Sequence, residues 1–165
     1  MRKVIVNSTP LIVLCGIGKL DILKELYGEI WIPKAVYKEV TTKNDSVCMQ
    51  IQSAARWLHV EQVKDDSERK MYKAKLHDGE VEVMILAQEQ DADLLIIDDN
   101  AAKKTAKYLG LTVTGTLGVL IKAKCRGIIK EVRPLLTKMR QNGFYVSDAV
   151  VHMVLVQAGE QESDR

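Results

Sequence analysis

Acids at three places in the chain stand where a folded protein has little reason to put them. Glu80 precedes Val83, Met84 and Ala87 by three, four and seven residues, so on a helix it extends the apolar stripe instead of facing solvent. Asp98 and Asp99 end the wholly apolar run Leu94, Leu95, Ile96, Ile97, which reads as a strand buried on both faces. Glu39 lies three residues from Val36 and beside Val40, at or near the inward stripe of another helix. In open parallel sheets, ligands bind outside the carboxyl ends of the strands, and Asp98 and Asp99 occupy such an end. Carboxylates delivered there by separate elements would line a site for a divalent metal.

Each acid also has a purely structural reading. The Asp pair could form a turn, Glu80 could gain about 0.3–1 kcal/mol from the dipole of a first helical turn, and Glu39 could pair with Lys38 or Lys43. Their joint occurrence on separate elements, each near a strand end, favours a site. Lys103, Lys104 and Lys107, with Lys122, Lys124 and Arg126, lie on helices after Asp98. Beside a metal site they would serve as a track for a phosphate backbone; without one they are a solvated face. Gly115-Thr116-Leu117-Gly118 opens a helix and could receive a phosphate on its free N–H groups, but it lacks the Lys of a P-loop and the spacing of a dinucleotide fingerprint, which favours a structural turn. His59, His77 and His152 share no ligand spacing.

The elements that must hold these residues alternate between strand and helix. Strands are predicted over residues 3–6, 30–32, 58–63, 94–97 and 111–113. Helices are predicted from Pro10 onward, then over 20–27, from Pro33 through Val40, and over 46–57, 65–76, 80–90, 101–109, 116–126 and 131–142, with a last one from the cap Ser147 to Gly159. Asp78 reads as the N-cap of the 80–90 helix, and Gly28, Gly110, Gly127 and Gly143 as stops. This alternation predicts one domain over residues 1–160, a three-layer α/β/α sandwich with a mainly parallel central sheet, followed by a polar tail at 161–165.

Composition narrows the class without naming it. With 47% hydrophobic and 28% charged residues the chain has the balance of an ordinary globular domain. A formal charge of +2 is too mild to identify a nucleic-acid partner by itself. Cys15, Cys48 and Cys125 are odd in number and form no CxxC pair; they read as reduced core thiols, not a zinc site or a disulfide frame. No apolar run approaches the eighteen or so residues a membrane span requires, so the expectation is a soluble cytoplasmic protein.

Taken together, VIVNSTPLIVL, IWIPKAVYKEV, LHDGEVEVMILA, ADLLIIDDN, GTLGVLIKAK and FYVSDAV resemble the PIN-domain family, in the branch of unknown function related to toxin ribonucleases of type II toxin–antitoxin systems. In that family an acid follows strand one, a Glu sits on the helix after strand two, an acid opens the central helix and an Asp ends the next strand. The matching positions here are Asn7, Glu39, Glu80 and Asp98, with Ser8 and Thr9 as the hydroxyl residues that follow the first acid. The resemblance implies that these four hold Mg²⁺ or Mn²⁺ for phosphodiester hydrolysis of RNA, with Asp99 as a water-positioning residue and Lys103, Lys104, Lys107 and Lys122 on the RNA backbone. It also implies a homodimer and a small antitoxin partner. Asn7 departs from the family's Asp. A neutral amide oxygen can occupy one position around a hard cation, so the implication is weakened metal binding and impaired turnover. The alternative is a catalytically inactive relic that binds nucleic acid or antitoxin. A receiver-like signalling domain would leave Glu39 and Glu80 unexplained, and a haloacid-dehalogenase-like phosphatase lacks its DxDxT after strand one.

Overall fold

The computed structural model describes residues 2–64 and 78–162. Among these, five strands and nine helices alternate: β1 (Val4–Val6), α1 (Ser8–Gly16), α2 (Asp21–Tyr27), β2 (Ile30–Pro33), α3 (Lys34–Thr41), α4 (Ser46–Ser53), β3 (Leu58–Glu61), α5 (Asp78–Glu89), β4 (Leu94–Ile96), α6 (Asn100–Tyr108), β5 (Val113–Thr114), α7 (Thr116–Cys125), α8 (Arg133–Gln141) and α9 (Asp148–Gln157). The helix expected over 65–76 lies outside the described residues.

All five strands run parallel, in the order β3-β2-β1-β4-β5. The mainly parallel sandwich read from the sequence is therefore correct. Val4, Ile5 and Val6 are each fully buried although successive side chains point to opposite faces, so helices cover both sides of the sheet at its centre. On β4, Leu94, Leu95 and Ile96 repeat the pattern. Register puts Val6 opposite Ile96, which brings the carboxyl ends of the two central strands to the same rim.

Several boundaries differ for local reasons. Pro33 ends β2 in an extended conformation and leaves α3 to begin at Lys34; no side chain next to it caps the helix, and Glu82 of α5 supplies the acceptor, taking the Ala35 N–H at 3.0 Å. Helix α5 already includes Asp78, so the cap position falls before it, outside the described residues. Helix α4 stops at Ser53, four residues short of Trp57. Ser147 caps α9 as expected, accepting the Val150 N–H. Cys15 and Cys48 are core thiols, but Cys125 is exposed, at the last turn of α7. Burial, with Asp45 adding to it, pushes the Cys15 thiol up to about 12.

The C-terminal layer is fastened by Glu160. Its carboxylate accepts the N–H groups of Val132 (2.6 Å) and Arg133 (3.0 Å), capping α8, and meets the Lys124 ammonium at 3.1 Å. Burial alone would raise its pKa; the two N–H bonds and Lys124 together outweigh burial and hold it below the usual range. A carboxyl depressed in the folded state contributes stability above its unfolded value, about 4.3, and loses it as pH falls through the folded value. Glu160→Gln is expected to lower Tm at neutral pH by the loss of a charged cap, about 1 kcal/mol, and to flatten the decline of Tm below about pH 4. Thermal melts of both proteins across pH 3–7 check this.

Candidate metal centre at the carboxyl rim

Asn7 leaves β1 and stands as the N-cap residue of α1, yet its side chain makes no capping bond. Its backbone N–H continues the ladder to the Ile96 carbonyl at 2.9 Å, while the residue is only 5% exposed. No described residue hydrogen-bonds its amide. Asn is a strong capping residue, so an Asn that is nearly buried and does not cap has its oxygen available for something else.

Asp98, one residue past Ile97, is held more firmly. One carboxylate oxygen accepts the Thr116 N–H at 2.8 Å and the other its hydroxyl at 2.6 Å. Thr116 is fully buried and is the first residue of α7, so Asp98 receives a free helix N-terminal N–H and the favourable end of the helix dipole. The GTLG turn read from the sequence as structural thus anchors an acid. Gly115 completes the fit. Its φ of −112° is open to any residue, but a Cβ there would lie 2.7 Å from Asp98 Oδ1 and 2.9 Å from Lys103 Nζ. The glycine is present for space, between a carboxylate and an ammonium. Gly115→Ala is expected to displace the pinned Asp98 and destabilise the domain by about 1–3 kcal/mol, the usual cost of overpacking, while Lys103 swings away. Thermal melting of the variant measures it.

Glu39 corrects one expectation. Val36 and Val40 face the core, but Glu39 itself is exposed, on the flank of α3 and not on its inward stripe. Its carboxylate nevertheless turns back to the rim and accepts the Ser8 hydroxyl at 2.9 Å. Gly79 of α5 packs against this contact: a Cβ there would meet Glu39 Oε2 at 3.0 Å and Ser8 Oγ at 3.8 Å. Next to Gly79, Glu80 is 8% exposed, in keeping with its place in the apolar stripe. Asp99 has a structural task, since it caps α6 by accepting the Ala102 N–H at 2.9 Å.

The rim therefore draws on β1, α3, α5, β4 and α7. Among the described residues no three His, Cys, Asp or Glu side chains form a ready metal-holding group. The oxygens that these elements carry are hard and of mixed kind: the Asn7 amide, the Thr116-anchored Asp98, the Ser8-anchored Glu39 and the buried Glu80. That chemistry fits Mg²⁺ or Mn²⁺, since Mg²⁺ is held by one or two carboxylates and keeps several waters.

A family model described as a PIN domain matches residues 3–160. The chain belongs to the PIN-domain family. The match spans nearly all of the sequence, and the parallel sheet agrees with it. PIN domains form a nuclease superfamily whose members generally use divalent metals and commonly bind RNA and antitoxins. No curated protein matches the chain. Among the described residues no helix is long and apolar enough to cross a membrane.

Of the basic residues on this PIN domain, Lys103 lies beside Asp98 across Gly115, and Lys104 and Lys107 follow on the same helix. Lys122 does not join them. It sits in the last turn of α7, with its ammonium 4.9 Å from the centre of the Tyr27 ring, at the far end of the helix from Thr116. Sequence reasoning missed Thr116, Gly115 and Glu82 as supports of the site. Only the GTLG turn gave a signal, and it was one of backbone shape.

Proposed function

We propose that this PIN domain is a metal-dependent endoribonuclease of the toxin type, attenuated by Asn7. The observation that supports this most is the double anchoring of Asp98 by Thr116, because it fixes a carboxylate at the rim that β1 shares with β4. Asn7, Glu39, Glu80 and Asp98 would hold one Mg²⁺ or Mn²⁺, with water completing the shell. Such an ion supplies Lewis acidity toward a scissile phosphate and a water nucleophile. The chain's own groups do the positioning. Thr116 fixes Asp98, Ser8 orients Glu39, and Glu82 secures the start of the helix that carries Glu39. Lys103, Lys104 and Lys107 would hold phosphates of the RNA strand in register, contacts that position without reading sequence. Asp99 would act on the site only through the start of α6.

A homodimer and a small antitoxin partner belong to the same reading, as does a cytoplasmic location. One observation favours a second reading: the first rim position is a neutral amide. In that case the domain binds RNA or antitoxin without turnover. Cleavage of a single-stranded oligoribonucleotide with Mn²⁺, against an EDTA control and against Asp98→Asn, separates the two. Metal-dependent cleavage that Asp98→Asn abolishes supports the nuclease, and its absence in the parent chain supports the binding domain.

A further inference from the structure

Two cations lie over one aromatic ring at the end of the sheet away from the carboxylates, and a third follows on the same helix as one of them. Arg2 lies two residues before β1, Lys122 is in the last turn of α7, and Arg126 is that helix's C-cap. Tyr27, the last residue of α2, stands beside the first two. The Arg2 guanidinium carbon is 5.9 Å and the Lys122 ammonium 4.9 Å from the centre of its ring. Arg126 follows Lys122 by four residues, one turn further along the same helix. Burial, then Arg2 and Arg126, hold the Lys122 ammonium below its usual range. Burial raises the Tyr27 phenol while the same two arginines oppose it.

None of the three cations is ion-paired with a described carboxylate. Two acids close in the fold to these elements are engaged elsewhere: Asp93 accepts the Lys3 N–H at 2.6 Å, and Glu160 holds Lys124. The Tyr27 face attracts Arg2 and Lys122, and the carbonyl end of α7 favours Lys122 and Arg126. Both effects hold the cations in place without neutralising them, and Arg2 comes from a strand flank where no helix end assists. A half-buried ring with cations over it is not a stacking platform for a base. What the cluster offers is charge and N–H donors, two guanidinium forks and one ammonium, which match the oxygens of a phosphate group.

We propose that Arg2, Lys122 and Arg126 form a phosphate-binding site on the rim opposite the carboxylates, filled by a phosphodiester of an RNA strand or by a free phosphate. It is separate from the metal centre, so it can be tested without metal or turnover. Two probes are applied to the full chain in EDTA: a fluorescein-labelled single-stranded oligoribonucleotide followed by anisotropy over a range of salt, and inorganic phosphate followed by thermal melting. The test variant carries Lys122→Gln and Arg126→Gln; a charge-matched control carries Lys130→Gln and Lys138→Gln.

Loss of two strand contacts should weaken oligonucleotide binding about tenfold or more at low salt and make the log–log salt slope shallower by about 1.4, at roughly 0.7 per phosphate on a single strand. The control should keep the parental slope. Inorganic phosphate should raise Tm of the parent and not of the test variant. A changed slope assigns the site to an RNA strand. A changed phosphate response with an unchanged slope assigns it to free phosphate. If the test variant matches the control with both probes, the proposal is wrong.

Discussion

Asn7→Asp should increase Mn²⁺-dependent RNA cleavage by at least tenfold and tighten Mn²⁺ binding in parallel. The substitution preserves shape at a position that is 5% exposed and makes no capping bond, so what changes is charge. A unit-charge pair at about 4 Å is worth on the order of 4 kcal/mol at an effective dielectric of about 20. Dehydration and ligand rearrangement consume part of that, and about 1.4 kcal/mol is enough for a factor of ten. The same charge is unwelcome without metal, because it adds an anion to the rim that carries Asp98. Metal-free Asn7→Asp should therefore melt below the parent, and Mn²⁺ should restore the difference. Cleavage assays and melts with and without Mn²⁺ measure both. Equal activity of the two proteins would mean that position 7 has no part in metal binding.

The second large effect is at Asp98, where two substitutions separate structure from chemistry. Asp98→Ala leaves the Thr116 N–H and hydroxyl, on a fully buried residue, without their acceptor. Each unsatisfied group costs about 1–3 kcal/mol, so the variant should lose several degrees of Tm as well as activity. Asp98→Asn keeps an oxygen for the Thr116 N–H and removes the charge. It should melt close to the parent yet lose activity by roughly a hundredfold or more, the scale on which losing one preorganised electrostatic partner is felt. If Asp98→Asn stays active, the carboxylate is only a brace for α7.

Much of the frame was legible because burial on two faces leaves a plain mark. The apolar run that forms β4 read as a strand buried on both faces, β1 read as a short strand, and the abrupt acid after Ile97 marked the rim. Glu80 was legible for the same reason, an acid inside a run of buried positions. Glu39 was misread in detail. Its neighbours Val36 and Val40 define the inward stripe, but a long flexible side chain can leave from the flank and return to Ser8, which periodicity does not register. Asp99 has a structural use that its spacing did not single out, since capping and chemistry use the same residue type at the same place. The supports stayed hidden because they are contacts between distant segments. Glu82 reaches Ala35, Thr116 reaches Asp98, and Gly115 yields room to two charged groups. A helix-opening glycine carries no sign of which side chains approach it. Lys122 looked like a companion of Lys103, but the length of α7 takes it to the other end of the sheet, beside Arg2 and Tyr27.

The central claim is that Asn7, Glu39, Glu80 and Asp98 form one cation site, and Mn²⁺ binding followed by electron paramagnetic resonance tests it without requiring turnover. The account predicts one bound Mn²⁺ per chain, weakened at least tenfold by Glu80→Gln and by Asp98→Asn and strengthened by Asn7→Asp. Mn²⁺ affinity that is the same in the parent and in all three variants would contradict it.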